Sequence, residues 1–291
     1  MSQVARAALL ALAATFLFNL ETVLVKAMEG VPLATIVLSR AVGQLVWTGP
    51  AFIRDPFGLP RTRQLRLNLL RGGLSGVSWY MYYLSFASLP LAMATVLSFT
   101  SVLFITALAG PILGERVGWR RWSATLVGFA GVLAIVRPGA VEVGWPVAAA
   151  IATAFIGANI TLTTKTLARS ERTATIMFYI GLMTTAMTLP VALPGLAWHG
   201  WWNFLLLLAT GLCGPAAMHV WINALRMADA SAIAPLSYVR LIFAVGFGLV
   251  LFGELPDLWL LLGATLIVAS TLYITRREAR LARMRAARPD A

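Results

Sequence analysis

The sequence predicts an all-α membrane protein: ten transmembrane helices arranged as two inverted five-helix repeats. Three observations carry that expectation. Of 291 residues, 59% are hydrophobic and 12% are charged, against about 45–50% and roughly 25% in a soluble domain. The apolar residues come in runs of spanning length, punctuated by Gly, Pro and Arg. The sequence also matches itself at an offset of 139 residues. So few polar side chains cannot coat a water-soluble particle, which excludes an ordinary soluble enzyme, a disordered chain and a collagenous one.

A span needs about 20 apolar residues, and the apolar runs give ten candidates: 7–27, 33–53, 67–88, 91–112, 121–138, 146–166, 174–193, 202–224, 231–253 and 257–275. In the longest internal connection, Asp55-Pro56 and Leu59-Pro60 stop the second span. Arg6 ahead of an apolar stretch resembles a signal peptide, and Ala11-Leu12-Ala13 offers a cleavage-like site. The stretch continues well past it and takes part in the internal repeat, so it is expected to stay in the fold. Pro111, Pro215 and Pro235 are expected to interrupt helices and to act as hinges beside protein or a wet cavity.

Charge orients the spans. Lys+Arg total 23 and Asp+Glu 11, for a net charge of +12. With the N-terminus inside, 19 of the 23 basic residues fall at inner ends, only Lys26 and Arg137 at outer ends, and Arg40 and Arg240 within spans. That bias predicts cytoplasmic termini and an even span count. It also explains the high isoelectric point without a nucleic-acid partner. The one cysteine, Cys213, excludes an intrachain disulfide and a Cys-based zinc site. His199 and His219 are too few for a metal cluster, and no Walker sequence is present. No metal, cofactor or catalytic residue is expected. The expected partners are a small-molecule substrate and the lipid bilayer, with the oligomeric state, a monomer included, left open.

At the 139-residue offset, Leu97-Ser98-Phe99 meets Leu236-Ser237-Tyr238, Gly114-Glu115 meets Gly253-Glu254, and Gly72 meets Gly211. Phe104 meets Phe243, Phe16 meets Phe155, Thr22 meets Thr161, and Lys26 meets Lys165. Five spans per half is odd, so the halves enter the membrane in opposite senses. The expected division is 1–138 for the first repeat, 139–276 for the second, and 277–291 for a basic cytoplasmic tail. Inverted repeats around a midplane site are a secondary-transporter architecture.

Two five-helix repeats whose fourth helices end in Leu113-Gly114-Glu115 and Phe252-Gly253-Glu254 resemble the drug/metabolite transporter superfamily, EamA family. Arg40 and the stretch from Ser85 to Leu91 also sit where that family tends to place similar residues. The resemblance covers nearly the whole chain. Among ten-helix members the chain is most similar to amino acid exporters of the YddG type. The resemblance implies export of amino acids or other metabolites, and no enzymatic chemistry.

Polar groups at membrane depth are functional candidates. Glu21 lies roughly 9 Å from the outer end of the first span and Arg40 about 10 Å from that of the second, so these antiparallel neighbours can form a charge pair that fixes packing or couples transport. Arg240 is roughly 13 Å deep in the ninth span, a surplus cation suited to a substrate carboxylate. In the third span Ser75, Ser78, Trp79, Tyr82 and Phe86 share one helical face. Such a face suits an amphipathic ligand, whereas Tyr80 and Tyr83 are assigned to the interfacial aromatic belt. Ser98, Phe99, Ser237 and Tyr238 occupy equivalent places in the halves. Asn159, Thr163, His219 and Trp221 complete the expected substrate-binding set.

These features predict a secondary transporter that exports small amphipathic metabolites, amino acids including aromatic ones foremost, by alternating access. A drug or cation exporter using Glu21 is the alternative, and Arg40 weighs against it. A membrane-embedded enzyme or scaffold fits less well, since the chain has neither a His/Asp/Cys cluster nor, with its inverted repeat, the look of a scaffold.

Overall fold

A computed structural model describes residues 3–101, 103–104, 108, 123, 126–128, 130–131, 133–134, 144–168, 170–227, 239–270 and 273. Among the described residues the protein is all-helical, without a strand. The helices are α1 (Gln3–Lys26), α2 (Leu33–Arg54), α3 (Leu65–Ser88), α4 (Leu91–Ser98), α5 (Trp145–Ala168), α6 (Thr173–Ala192), α7 (Gly200–Met227), α8 (Val239–Phe252) and α9 (Leu258–Ser270). Positions described between 123 and 134 are helical too. Five helical stretches are long and apolar enough to cross a membrane: Leu9–Lys26, Leu33–Arg54, Trp145–Ala168, Thr173–Gly195 and Gly200–Ala224. α3 matches them in length but carries the hydroxyl, phenol and guanidinium groups of the face described above.

Local chemistry sets the ends. Pro32 and Pro90 immediately precede α2 and α4, where a missing N–H costs nothing. α2 stops at Arg54, just before Asp55-Pro56. Gly253 closes α8 in the left-handed region (φ 65°). The Asp257 carboxylate accepts the Leu260 N–H at 2.7 Å and so caps α9.

Pro215 corrects an expectation, because α7 runs unbroken through it from Gly200 to Met227. A proline still leaves the carbonyl four residues earlier without its helical donor. That carbonyl belongs to Gly211, and it faces Gly43 of α2 so closely that a Cβ on Gly43 would collide with it. The proline therefore marks a tight α2–α7 crossing rather than a break.

Helix packing runs across the halves. α1 lies on α7 as α3 lies on α5, α2 on α7 as α3 on α6, and α1 on α8 as α4 on α5, while α2 meets α6. Exchanging the halves through the 139-residue offset turns each of the first pairings into its counterpart and α2–α6 into itself. Side chains obey the same exchange. Phe16 meets Phe243 edge-on with centroids 5.4 Å apart, and their offset partners Phe155 and Phe104 also meet edge-on at 5.4 Å. The matched glycines serve equivalent crossings: a Cβ on Gly72 would come 2.6 Å from the Tyr179 carbonyl oxygen, and one on Gly211 3.1 Å from that of Ser39.

Candidate functional site

α1, α2, α3, α7 and α8 converge on a buried polar cluster. Its centre is the Glu21–Arg40 pair, Arg40 Nε donating to Glu21 Oε1 at 2.7 Å with the two side chains 0–1% exposed. Glu21 lies five residues before the end of α1 and Arg40 seven after the start of α2, so the two meet at similar heights on neighbouring helices. Tyr83 Oη donates to the same Oε1 at 2.6 Å. The Arg40 guanidinium lies over the Trp79 ring, 3.3 Å from Cζ to the centroid. This stacking gives the cation a π face in place of water. Gly214 of α7 backs the pair, since a Cβ there would sit 2.8 Å from Arg40 Nε. Glu21 Oε2 and Arg40 Nη2 are buried without a hydrogen-bond partner among the described residues.

Beside this pair stands an aromatic wall on α3. Trp79 meets Tyr82 edge-on at 5.5 Å, and Tyr82 packs on Phe86 at 4.4 Å. Arg240, half-buried on α8, donates through Nη2 to Tyr82 Oη. Its guanidinium lies 5.4 Å from the Tyr82 and Phe86 centroids. No carboxylate pairs with Arg240 among the described residues, and its Nε is buried without a partner.

The cluster therefore unites Glu21, Arg40, Trp79, Tyr82 and Arg240. Ser75 and Ser78 are buried on the same helix, and Ser75 accepts from Arg71 rather than facing Arg240. The remaining expected residues lie elsewhere. The Ser98 hydroxyl donates to the Thr95 carbonyl at 2.6 Å, and Phe99 is buried in an apolar cluster with Val96 and Leu97. Asn159 and Thr163 bond carbonyls of their own helix, Phe155 and Asn159, at 3.0 and 2.9 Å. His219 is near Trp47, centroids 6.1 Å apart, and Trp221 packs with Ala7, Ala11 and Ala224. Ser237 and Tyr238 lie outside the described residues.

Tyr83 departs from its sequence assignment, and Arg71 proves buried. Tyr83, assigned to the aromatic belt, is fully buried against Glu21, while Tyr80 is exposed. Tyr83 is four residues after Trp79, so helical spacing does put it on the Trp79 side. Arg71, counted with the inner cations, is 2% exposed. It donates to Thr164 Oγ1 at 2.8 Å and to Ser75 Oγ.

A second ion pair ties the end of α1 to the turn after α8 and to the α3–α4 junction. Lys26 Nζ lies 2.6 Å from Glu254 Oε1 and donates to the Leu89 carbonyl at 2.7 Å. Glu254 Oε2 accepts the Leu91 N–H, the first of α4, at 2.7 Å. At the opposite end, Glu171 accepts from the Thr62 hydroxyl at 2.6 Å and from the Arg63 N–H at 3.1 Å. Arg226 donates to the Glu171 carbonyl.

The model of the EamA-like transporter family matches the chain twice, over residues 5–137 and 144–276. A riboflavin transporter of Vibrio cholerae serotype O1 is 33% identical over 228 residues, covering 77% of this chain and 76% of its own. An S-adenosylmethionine uptake transporter of Rickettsia conorii is 31% identical over 220 residues, 75% of this chain and 74% of its own. A pseudopaline exporter of Pseudomonas aeruginosa is 28% identical over 283 residues, 93% of this chain and 96% of its own. A protein of known crystal structure has the same fold, with a TM-score of 0.65 at 21% identity over 95% of this chain and 99% of that one.

Proposed function

The chain belongs to the EamA-like transporter family of the drug/metabolite transporter superfamily, and from that premise we propose a secondary transporter that exports small amphipathic organic acids by alternating access. It is a transporter and not an enzyme, set in a bacterial inner membrane that it crosses several times. The proposed topology has ten spans, repeats over 1–138 and 139–276 inverted about the midplane, a basic tail over 277–291, and both termini in the cytoplasm. The exchanged helix pairings and the two 5.4 Å phenylalanine pairs support the repeat relation.

The observation that carries the substrate reading is Arg240, a cation held on Tyr82 and Phe86 with no carboxylate partner among the described residues. A buried guanidinium is costly until an anion meets it, and a substrate carboxylate supplies one. Trp79, Tyr82 and Phe86 offer rings for the substrate's apolar part. Amino acids with apolar side chains, aromatic ones included, carry both features. A cation exporter fits less well, since Arg40 and Tyr83 already occupy Glu21 Oε1.

Alternating access has a candidate closure in Lys26–Glu254, which joins α1 to the α8–α9 turn. The 139-residue offset gives this pair a sequence counterpart in Lys165 and Glu115, on the opposite side of the proposed topology. Rocking of the halves would release one pair as the other forms. Their side chains at 115 and 165 lie outside the described residues.

A second reading, passage of a larger planar ring system, is favoured by the likeness to a riboflavin transporter together with the aromatic wall. Proteoliposome uptake of labelled phenylalanine, tryptophan, S-adenosylmethionine and riboflavin separates the readings. Saturable uptake of the amino acids supports the first, and uptake of riboflavin alone replaces it with the second. The topology is tested on a Cys213→Ser background with a membrane-impermeant thiol reagent. Leu255→Cys, at a site 81% exposed, is expected to label in intact cells, and Phe57→Cys, at a site 79% exposed, is not. The reverse pattern overturns the orientation.

A further inference from the structure

On α3, the face that carries Ser75, Ser78, Trp79, Tyr82 and Phe86 continues one turn toward the helix start, to Arg71. The steps from 71 to 75, 79, 82 and 86 are four, four, three and four residues, the spacing of a single helical stripe. Arg71 lies 11 residues before Tyr82, about 16 Å along the axis at 1.5 Å per residue. The stripe thus meets three guanidinium groups in turn, Arg71 toward the α3 start, Arg40 over Trp79 and Arg240 docked at Tyr82.

Arg71 is held rather than neutralised. Its Nε donates to Thr164 Oγ1 of α5 at 2.8 Å, and Nη1 donates to Ser75 Oγ. Both hydroxyls already donate to carbonyls of their own helices, Thr164 to Ile160 at 2.7 Å and Ser75 to Arg71 at 2.8 Å. Each therefore turns a lone pair to the guanidinium and offers it no negative charge. No hydrogen bond to Nη2 and no carboxylate pairing with Arg71 occurs among the described residues. Arg40 adds a second buried cation, and Glu21 is already committed to it. A fixed, desolvated and uncompensated guanidinium has the chemistry of an anion receptor: two donors hold it in place and a third is left for the ligand.

We propose that Arg71, oriented by Ser75 and Thr164, is a second anion-binding subsite that receives the acidic group of an aromatic carboxylate at the inner end of its path. Arg240 receives the same group at the other end, so the substrate class is the amphipathic organic anion. This rests on the transport reading above, but the subsite stands or falls by binding. Thr164 belongs to the second half and Ser75 to the first, so the receptor is assembled across the α3–α5 contact and would be altered by any movement of the halves.

The test is ligand-dependent thermal stabilisation of the purified full chain, with benzoate as probe and benzamide as its uncharged control. A ligand that binds only the folded state raises the midpoint with its concentration. Benzoate is expected to stabilise the unsubstituted protein and benzamide to do so far less. Arg240→Gln should keep a benzoate-dependent rise, Arg71→Gln should keep a different one, and the double variant should keep none. Should Arg71→Gln fold poorly, Thr164→Val leaves the charge in place but frees its orientation, and in the Arg240→Gln background it should weaken benzoate severalfold. If Arg240→Gln alone abolishes the benzoate effect, Arg71 receives no anion and the subsite fails while the Arg240 reading survives. If benzoate leaves the unsubstituted protein unchanged, both fail.

Discussion

Glu21 and Lys26 leave the same helix for partners of opposite charge, in very different surroundings. Glu21 meets Arg40 with both side chains 0–1% exposed, walled by Trp79, Tyr83 and Gly214. Lys26 meets Glu254 at 14% and 18% exposure, and each partner also holds a backbone group at an end of α3 or α4. The first pair lies within one half of the chain, and the second spans the halves. Burial makes the first nearly impossible to break singly, because either charge left alone would face a low dielectric. Partial solvation makes the second cheap to open and close. In the proposed alternating-access cycle the first pair would be the fixed centre and the second the reversible rim.

The largest expected effect is on the buried pair. Arg40→Gln strands Glu21 and should cost about 3–5 kcal/mol, read as loss of folded yield and of thermal stability for every substrate condition alike. Glu21→Gln combined with Arg40→Gln should recover part of that loss, since no charge is then left unpaired. Equal yields for the single and double variants would mean that the pair does not hold the centre.

The aromatic wall comes next. Trp79→Ala and Tyr82→Ala should weaken apparent substrate affinity severalfold, on the scale of about 0.5–1.5 kcal/mol per ring contact, at matched expression. Tyr80→Ala should leave it unchanged, because that ring points away from the cluster. Equal losses at all three positions would remove the distinction between the inner and outer faces of α3.

The smallest effect on stability is expected at the rim. Lys26→Gln should change unfolding by less than about 1 kcal/mol yet alter how often the outer face opens. A Lys26→Cys and Glu254→Cys pair in the Cys213→Ser background tests this directly, with transport expected to stop on oxidation and to return on reduction. Undiminished transport by the cross-linked protein would show that the rim stays closed throughout the cycle.

Apolar runs and their Gly, Pro and charge punctuation made much of this readable beforehand. The expected spans at 7–27, 33–53, 67–88, 146–166, 174–193 and 202–224 agree with α1–α3 and α5–α7 to within four residues at each end. The Phe16/Phe155 and Phe104/Phe243 matches at one offset become two equivalent ring pairs because the same exchange governs packing. Glu21 and Arg40 could be matched by depth alone. Tyr83 was misassigned because it lies toward a span end, where residue type suggests the interface, while helical phase points it inward; the burial of Arg71 has the same origin. Lys26–Glu254 was not readable as a contact, since nothing local links residues 228 positions apart. Ser98, Asn159 and Thr163 satisfy carbonyls of their own helices, an option open to any such residue in a helix and invisible to a search for polar groups at depth.

The central claim is that Arg240 is the cation awaiting a substrate carboxylate, and paired uptake of phenylalanine and phenylalaninamide by Arg240→Gln in proteoliposomes tests it most directly. Truncating one member of a buried charged contact costs about 2–5 kcal/mol, so phenylalanine should lose at least about tenfold in apparent affinity while phenylalaninamide is nearly unaffected. Loss of both in the same proportion would make Arg240 a packing residue on Tyr82 and would contradict the assignment.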